Sequence, residues 1–197
     1  MLPLFIDLSR LRLVLAGNGE ATRRRLALLE EAGARQIDIY AADPSPALTQ
    51  EAGHRLIRRW PTPAEIARAQ LVFIADPPRP QRIAMAAAAR AARIIVHVED
   101  EPALSDTQAP AVLRRGRLTL AVSTGGASPA LATQIRDFLG RLFAPEWGER
   151  LEAMARQRHA WREAGLKPDA IASRTGAWVR RRGWLPARTP PVPPPEA

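Results

Sequence analysis

The sequence predicts an α/β protein that combines a doubly wound parallel sheet with a helical C-terminal part. Three observations predict this fold class. Short apolar runs alternate with helical stretches over the first half of the chain, which is typical of the strands and helices of a parallel sheet. A loop with two glycines follows the first apolar run. Only helical patterns remain after Pro145.

The first part of the predicted sheet consists of a strand, a glycine loop, a helix and a second strand. The helix has leucines at helical spacing and ends at Gly33. The second strand is closed by the turn-rich segment Asp43–Pro46. The predicted elements are strands at Leu11–Ala16 and Gln36–Tyr40 and a helix at Ala21–Ala32.

The second part of the sheet repeats this order. Leu71–Ala75 is a continuous apolar run of the kind that is buried in a parallel sheet, and it ends in an Asp-Pro-Pro turn. The alanine-rich stretch Pro80–Ala92 predicts a helix. Arg93–Val98 predicts the next strand, which ends in a group of acidic residues.

The C-terminal part begins with one more strand and continues with helices. Leu118–Ser123 predicts the strand, and Ser128 as N-cap with Pro129 at the first helical position predicts a helix start. The end of the chain contains too much proline to pack and predicts a disordered tail. The predicted helices are about Ala130–Phe143, Trp147–Arg158 and Asp169–Trp184, and the predicted tail is Arg188–Ala197.

The charge of the chain predicts an anionic partner. The chain has 197 residues and a formal net charge of +9, and Lys167 is the single lysine among its 29 basic residues. The planar guanidinium of arginine suits carboxylates and phosphates. Nucleic acid, acidic lipid, a polycarboxylate metabolite and a dinucleotide all remain open as the partner.

The composition excludes several classes of protein. Because the chain has no cysteine, it has no disulfide framework, no thiolate zinc site and no cysteine-held iron–sulfur cluster. No apolar run reaches the ~18 residues that a membrane span needs. The N-terminal segment lacks the basic start of a secretory signal. We therefore expect a cytoplasmic protein without a membrane span.

The glycine loop predicts a dinucleotide site. In a Rossmann-type loop the first glycine allows a tight turn, the second lets a pyrophosphate approach the backbone, and the helix N-terminus binds its charge. Gly17 and Gly19 have this placement, but Thr22 occupies the third position, where the pattern has Gly or Ala. The alternative is a purely structural turn.

A carboxylate about 20 residues beyond such a loop is expected to hold the adenine ribose. Asp38 lies within the second predicted strand, and Asp43 lies just past it. Asp43 is the better placed of the two. It also opens an Asp-Pro-Ser-Pro turn, so that a ribose contact and a turn residue both stay open as its role.

Ionisable side chains crowd the end of the strand at residues 93–98. They are His97, Glu99, Asp100 and Glu101. The carboxyl ends of parallel strands build the sites of open α/β sheets. Because like charges push carboxyl pKa values apart, we expect one of these groups to take up a proton near neutral pH. The alternative is that these residues form a solvated acidic loop end. His97 lies within an apolar strand, which is more typical of a structural histidine than of a metal ligand.

A second loop of small residues precedes the helix at about residue 130. It contains Ser123, Thr124, Gly125, Gly126 and Ser128. Backbone N–H groups at such a helix start can receive a carboxylate. A plain capped helix start is the alternative.

Four segments at coherent spacing resemble the precorrin-2 dehydrogenase / sirohydrochlorin ferrochelatase family, the N-terminal module of siroheme synthase. They are PLFIDL, LVLAGNGEATRRRLALLEEAGA, the acidic turn Asp100–Pro102 and AVSTGGASPALA, and the similarity as a whole extends over about Leu2–Phe143. The resemblance implies NAD-dependent oxidation of precorrin-2 to sirohydrochlorin. In bifunctional members it also implies insertion of ferrous iron to give siroheme.

The resemblance further implies how the chain is divided and what it binds. It implies an NAD-binding Rossmann domain at residues 1–112, a dimerisation segment at 113–144 and a small helical domain at 145–187, ahead of the tail at 188–197. It implies a homodimer that takes precorrin-2 or sirohydrochlorin as ligand and ferrous iron as a substrate. Neither nucleic acid nor a membrane is expected as a partner.

The resemblance places the reaction at Asp100. We expect this residue to act as a general base, which removes a macrocycle proton as hydride leaves for NAD and later accepts pyrrole N–H protons. Thr124 stands where the family has a phosphorylatable serine. The implied cofactor contacts are Gly17, Asn18, Gly19, Glu20, Ala21, Ala42 and Asp43, the implied substrate contacts are Thr124, Gly125, Gly126 and Ser128, and no resident metal site is implied.

The sequence departs from the family pattern near the expected site, which leaves the ferrochelatase step more open than the dehydrogenase step. A dehydrogenase alone and a non-catalytic, NAD-responsive tetrapyrrole-binding protein are alternatives. A nucleic-acid binder would use the arginine runs at 23–25 and 180–182, but no aromatic platform or binding motif accompanies them. The departures are at Thr22, Ala75, Gln81, Glu99, Thr107 and Gln108.

Overall fold

The computed structural model describes residues 1–185 and divides into two compact units, of which the first is Met1–Ala109 and the second begins at Pro110. The predicted tail Arg188–Ala197 and the last residues of the predicted segment 145–187 lie outside the described residues. Within residues 1–185 no helix has both the length and the apolar character needed to cross a bilayer.

The first unit is built around a five-stranded parallel sheet with the strand order β3-β2-β1-β4-β5. Its strands are β1 Arg12–Ala16, β2 Gln36–Tyr40, β3 Leu56–Ile57, β4 Leu71–Ile74 and β5 Ile95–Val98, and its helices are α1 Glu20–Glu31, α2 Pro46–Ala52, α3 Pro63–Ile66 and α4 Arg79–Ala91.

Helices cover the sheet on both faces because its central strands are continuously apolar, β4 over its whole length and β1 from Leu13 onward. In β1, Leu13 packs into a core on the α1 side, whereas Val14 packs into a second core with α4. Successive side chains of a strand point to opposite faces, so the continuous apolar run seen in the sequence fills two separate layers. The α1 side holds Leu13, Leu15, Leu26, Leu29 and Ile39, and the α4 side holds Val14, Val72, Met85, Ala86 and Val96.

The chain changes direction in the sheet between β1 and β4. It runs outward from β1 through β2 to β3 and then returns to β4 on the other side of β1. Ala16 lies opposite Tyr40 on one side and Ile74 on the other, so the loops that follow β1, β2 and β4 leave the same edge of the sheet. Ligands of open α/β sheets bind at such a switch point, outside the carboxyl ends of the strands.

The second unit combines an antiparallel hairpin with three helices. The hairpin turns at Gly116, whose φ of 55° lies in the left-handed region that glycine adopts without strain. Trp147 and Trp178 are buried, and Trp184 packs edge-on against both of them. The elements are β6 Ala111–Arg115, β7 Leu118–Val122, α5 Pro129–Leu142, α6 Trp147–Glu163 and α7 Pro168–Arg181.

The predicted fold class is confirmed, and the differences concern short elements and helix ends. The sequence patterns did not reveal β3, α2, α3 or β6, which are short or weakly patterned. Helix α7 ends at Arg181 rather than at the predicted Trp184, because Gly183 adopts a left-handed φ of 62° and its N–H bonds back to Arg180. The N-cap prediction at Ser128 is confirmed, since its hydroxyl accepts from the N–H of Leu131 at 3.2 Å.

Candidate functional site

The glycine loop connects β1 to α1 at the switch point, and its backbone packs closely around a carboxylate. A Cβ atom on Gly17 would lie 2.0 Å from Thr22 Oγ1 and 2.4 Å from Asp76 Oδ1. On Gly19 it would lie 2.9 Å from Asp76 Oδ2. Both positions therefore require glycine because the carboxylate of Asp76 approaches the loop, which sequence reasoning did not foresee.

Asp76 follows β4 and accepts hydrogen bonds from the start of α1. Its Oδ1 accepts from the N–H of Asn18 at 2.6 Å and from the hydroxyl of Thr22 at 2.7 Å. Its Oδ2 accepts from the N–H of Gly19 at 3.0 Å. Burial alone would raise the pKa of Asp76, but the hydrogen bonds from Thr22, Gly19 and Asn18 outweigh burial and hold that pKa below its ordinary value.

Two backbone N–H groups at the start of α1 keep no partner within the described part of the chain. The first four N–H groups of a helix have no acceptor inside the helix. Here Asp76 takes those of Gly19 and Thr22, which leaves those of Glu20 and Ala21. Because they lie at the positive end of the helix dipole, these two groups fit a phosphate oxygen.

The loop after β2 is tied to the glycine loop by Asn18. The side-chain oxygen of Asn18 accepts from the N–H of Asp43 at 3.1 Å, and the backbone carbonyl of Asn18 accepts from the N–H of Ser45 at 2.8 Å. Ala42 and Asp43 are exposed beside this contact. Asp38, the alternative, lies inside β2 and faces Arg12 at 3.7 Å. The structure therefore brings the seven predicted cofactor residues together at one edge of the sheet.

This edge fits a dinucleotide. Gly17 and Gly19 have no side chain to cover the backbone, and Glu20 and Ala21 offer two N–H groups that have no partner among residues 1–185. Asp43 presents an exposed carboxylate just past the end of the neighbouring strand. These are the parts that a dinucleotide needs for its pyrophosphate and its adenine ribose.

Arginines pair with two of the carboxylates at the end of β5, Arg25 with Glu99 and Arg82 with Glu101. The prediction that a carboxylate here takes up a proton near neutral pH is therefore wrong for Glu99. Arg25 of α1 places Nη2 2.5 Å from Glu99 Oε2, and His97 Nε2 lies 3.6 Å from the same oxygen. The contact with His97 and the bonds from Arg25 lower the pKa of Glu99 to about 2, although burial acts in the opposite direction. The repulsion expected from the sequence is overcome by these contacts with His97 and Arg25.

The other two acidic residues of this loop differ sharply from each other. Glu101 lies 3.4 Å from Arg82 Nη1 and 3.7 Å from Arg79 Nε, so its carboxylate is paired. Asp100 is exposed, and its side chain has neither an ion pair nor a hydrogen bond within residues 1–185. Its φ of 57° lies in the left-handed region, which Asp tolerates better than most residues.

Three residues that depart from the family pattern, Ala75, Gln81 and Thr107, lie near the ends of β4 and β5 or in the first turn of α4. Thr107 supports His97, since its Oγ1 lies 3.2 Å from His97 Nδ1. Ala75 is buried directly after β4. The side-chain oxygen of Gln81, in the first turn of α4, is buried without a hydrogen-bond partner among the described residues.

The predicted substrate contacts lie in the second unit, in the loop before α5. The hydroxyl of Thr124 accepts from the N–H of Ser128 at 3.1 Å and donates to the carbonyl of Ser128 at 3.0 Å. Gly125 and Gly126 have φ of 65° and 90°, conformations that favour glycine. Both glycines are exposed, so their backbone is open to a ligand.

The described residues contain no group of three or more histidine and acidic side chains that could hold a metal ion.

Comparisons with known protein families match most of the chain. Residues 4–111 match the family described as "Putative NAD(P)-binding", and residues 115–142 match the family described as "Sirohaem biosynthesis protein central". The first match alone covers more than half of the chain.

Relatives of known function are longer than this chain. A siroheme synthase of Methylococcus capsulatus is 35% identical over 172 residues, which are 86% of this chain and 36% of that protein. A siroheme synthase of Pseudomonas putida is 34% identical over 179 residues, which are 90% of this chain and 38% of that protein. The chain thus spans somewhat over a third of the length of these relatives.

Among solved structures, SirC, a precorrin-2 dehydrogenase, superimposes on the chain with a TM-score of 0.70. The match covers 94% of this chain and 97% of that chain at 21% sequence identity. At this level of identity the likeness shows a common fold.

Proposed function

We propose that this chain, which belongs to the family described as "Putative NAD(P)-binding" and is similar to siroheme synthases, oxidises precorrin-2 to sirohydrochlorin with NAD. The proposal joins that family membership to the dinucleotide edge of the first unit, which offers the parts that hold a pyrophosphate and a ribose. A cytoplasmic location suits an enzyme that works on dissolved NAD and a dissolved tetrapyrrole.

The observation that carries the catalytic assignment is the free carboxylate of Asp100. Arg25 binds Glu99 and Arg82 binds Glu101, whereas Asp100 stands exposed between them without a partner in the described residues. A general base needs a carboxylate that is free to reach the proton it removes. Of the three carboxylates in this loop, that of Asp100 is the one that meets this need.

The oxidation of precorrin-2 removes two electrons and two protons in two transfers. One transfer is a hydride, which carries both electrons, and the other is a proton. NAD, when bound, supplies the acceptor for the hydride. Asp100 takes the proton from the carbon skeleton onto a carboxylate oxygen and passes it to solvent, to which it is exposed. When NAD is bound, Glu20 and Ala21 would hold its pyrophosphate through their N–H groups, and Asp43 would hold its adenine ribose.

The positive charge of the chain is consistent with a tetrapyrrole that carries carboxylates. The net charge of +9 attracts a ligand that carries many carboxylates. In the second unit, the exposed backbone around Gly125 and Gly126 is suited to receive one of these carboxylates, with Thr124 and Ser128 fixing the loop.

Insertion of ferrous iron is the second step that we propose. Iron enters as a substrate, and the two pyrrole N–H protons that it displaces must leave the ring. Asp100 accepts these protons in turn, because its carboxylate is free and exposed. No step of this proposal requires a resident metal.

We also propose that the segment 113–144 joins two copies of the chain. Along α5, Leu131, Ile135, Phe138 and Leu142 are all exposed, with exposed fractions of 49%, 37%, 51% and 57%. Their spacing of four, three and four residues is that of a helical seam. The hairpin β6–β7 forms a sheet of only two strands in the described chain, and pairing with a second copy would extend that sheet.

The test is anaerobic incubation with enzymatically made precorrin-2 and NAD, followed by addition of ferrous iron. We expect the absorption spectrum of sirohydrochlorin and an equivalent amount of NADH to form before iron is added, and the spectrum of siroheme to form afterwards. The matched control is Asp100→Asn, which keeps the size of the side chain but cannot take the proton.

Each other outcome points to one of the alternatives. NADH formation without accelerated iron insertion would make the chain a dehydrogenase alone. Binding of NAD without turnover of precorrin-2 would make it an NAD-responsive binding protein and would reject the proposed oxidation. Salt-sensitive binding of DNA together with no binding of NAD would favour a nucleic-acid binder.

A further inference from the structure

The carboxylate of Asp76 occupies the place at a helix N-terminus where Rossmann-type loops usually receive an anion from a ligand. It accepts from the N–H groups of Asn18 and Gly19 and from the hydroxyl of Thr22 at distances between 2.6 and 3.0 Å. Its carboxylate therefore satisfies part of the positive end of α1 from within the protein.

We propose that Asp76 is a positioning residue, whose carboxylate, held by Thr22, fixes the glycine loop and leaves the N–H groups of Glu20 and Ala21 to the pyrophosphate. The proposal rests on the proposed function for the identity of the cofactor. In this proposal the Asp76 carboxylate already holds the glycine loop in its binding conformation before the cofactor binds.

The hydrogen bond to Asp76 explains why a threonine stands at position 22, where the dinucleotide pattern has Gly or Ala. A third Gly or Ala at this position allows close packing of the helix on the strand. Thr22 is instead fully buried and donates its hydroxyl to Asp76 Oδ1 at 2.7 Å. Because a Cβ on Gly17 would collide with both Thr22 and Asp76, these three residues depend on one another.

The negative charge of Asp76 disfavours binding of the pyrophosphate, whereas the hydrogen bonds of Asp76 to the glycine loop favour it. A carboxylate near the start of α1 repels a pyrophosphate, so a purely electrostatic role would make neutral variants bind the cofactor more tightly. A positioning role has the opposite sign, because a loop that must be ordered during binding lowers the affinity. The direction of the change in affinity therefore separates the two roles.

The experiment measures the dissociation constant of NADH by fluorescence for the wild type and for Asp76→Asn, Asp76→Ala and Thr22→Val. Asp76→Asn replaces one acceptor oxygen by an NH2 group that faces backbone N–H donors, and Thr22→Val removes the hydroxyl at nearly constant volume. We expect NADH to bind ~10–100-fold more weakly to both Asp76 variants and about threefold to tenfold more weakly to Thr22→Val. Amide hydrogen exchange at Asn18 and Gly19, measured without cofactor, is expected to accelerate in all three.

Three controls make the result specific. Thr22→Ser keeps the hydroxyl and is expected to recover most of the NADH affinity that Thr22→Val loses. Asp38→Asn changes a carboxylate of the same unit outside the glycine loop and is expected to have no effect. Formate, a free carboxylate, is expected to restore part of the NADH affinity of Asp76→Ala, whereas chloride at equal ionic strength is not.

Unchanged or tighter NADH binding in Asp76→Asn, with unchanged exchange at Asn18 and Gly19, would overturn the proposal. If Asp76→Ala does not fold, Thr22→Val carries the same decision, because it retains the carboxylate. If the wild type does not bind NADH at all, the proposed function fails. The exchange rates of Asn18 and Gly19 still decide in that case whether Asp76 fixes the loop.

Discussion

Arg25 on α1 and Glu99 at the end of β5 form an ion pair, with 2.5 Å between Nη2 and Oε2. The guanidinium also lies 5.6 Å from the centre of the Phe73 ring and 3.4 Å from His97 Nε2. Arg25 thereby connects the helix that begins at the glycine loop to the residue directly before Asp100. The side chain of Asp100 has no partner of its own in the described residues, so we expect the Arg25–Glu99 pair to help hold the loop that carries it.

Replacing Arg25 is expected to weaken both the fold and the site. The side chains of Arg25 and Glu99 are 11% and 29% exposed, so Arg25→Met would leave a largely buried carboxylate with His97 as its remaining partner. We expect a loss of about 1–3 kcal/mol in the free energy of unfolding. Urea unfolding at neutral pH measures this loss.

Arg10→Gln is the matched control for Arg25→Met. Arg10 pairs with Asp7 at 3.6 Å, but both side chains are largely exposed. An exposed pair of this kind contributes little, so the free energy of unfolding should change by less than about 0.5 kcal/mol. Equal effects of the two substitutions would show that the Arg25–Glu99 pair is no more important than a surface pair.

The Glu99 carboxylate gives the protein a stability that depends on pH. Its pKa is about 2 in the folded chain, below its ordinary value, so its contribution is fully present above the ordinary value of 4.5. This contribution is lost as the pH falls toward 2 and is on the order of 3 kcal/mol at most. We expect the difference in unfolding free energy between the wild type and Glu99→Gln to be constant from pH 7 to about 5 and to shrink below it. A difference that grows in acid would contradict this assignment.

Asp100→Asn is expected to abolish most of the oxidation of precorrin-2 without affecting NADH binding. Loss of a general base lowers the rate by about 10²–10⁴-fold. NADH binding depends on the glycine loop and is expected to stay unchanged, which a fluorescence titration measures. Glu101→Gln is the neighbouring control and should keep most of the rate, because Arg82 and Arg79 already hold the carboxylate of Glu101. A larger loss in Glu101→Gln than in Asp100→Asn would move the base to Glu101.

Much of the first unit could be predicted from the sequence because its strands are continuous apolar runs. The predicted strand Gln36–Tyr40 coincides with β2, and the predicted strand at Leu71 begins where β4 begins. By contrast, β3 has two residues and α3 has four, too few to show a period. Such elements form because neighbouring parts of the chain pack against them, which local patterns do not reveal.

The site could be predicted where it is local and not where it depends on contacts across the chain. The glycine loop and Asp43 follow from the order of strand, loop and helix. Asp76 is separated from the glycine loop by more than fifty residues and meets it only because β4 lies beside β1. Thr22 was a signal of this contact, since a hydroxyl at a packed position needs an acceptor.

Asp43 is expected to favour NAD over NADP. Its carboxylate is exposed at the end of β2, where it can accept from ribose hydroxyls and repel a 2′-phosphate. In Asp43→Asn we expect the preference for NADH over NADPH to fall by about tenfold or more, measured as the ratio of the two dissociation constants. Asp38→Asn should leave that ratio unchanged, and an unchanged ratio in both variants would make Asp43 a turn residue.

Phe138→Glu is expected to abolish the dimer that we propose for this chain. Phe138 lies at the middle of the exposed apolar seam of α5, between Ile135 and Leu142, with its ring stacked by Arg141 at 5.6 Å. A carboxylate buried in a seam without a partner costs several kcal/mol, so dimer dissociation should become at least ~100-fold more favourable. Sedimentation velocity over a range of concentrations measures this change.

The control for the seam is Thr133→Glu, which adds the same charge to the same helix. Thr133 is exposed and lies on the opposite side of α5 from Phe138 at the helical repeat of 3.6 residues per turn. We expect Thr133→Glu to sediment as the wild type does, because its added charge stays in water. A wild type that remains monomeric at every concentration, or a Phe138→Glu variant that still sediments as a dimer, would remove α5 from the interface. Dissociation by both substitutions would instead indicate that added negative charge on α5, rather than loss of apolar contact, separates the copies.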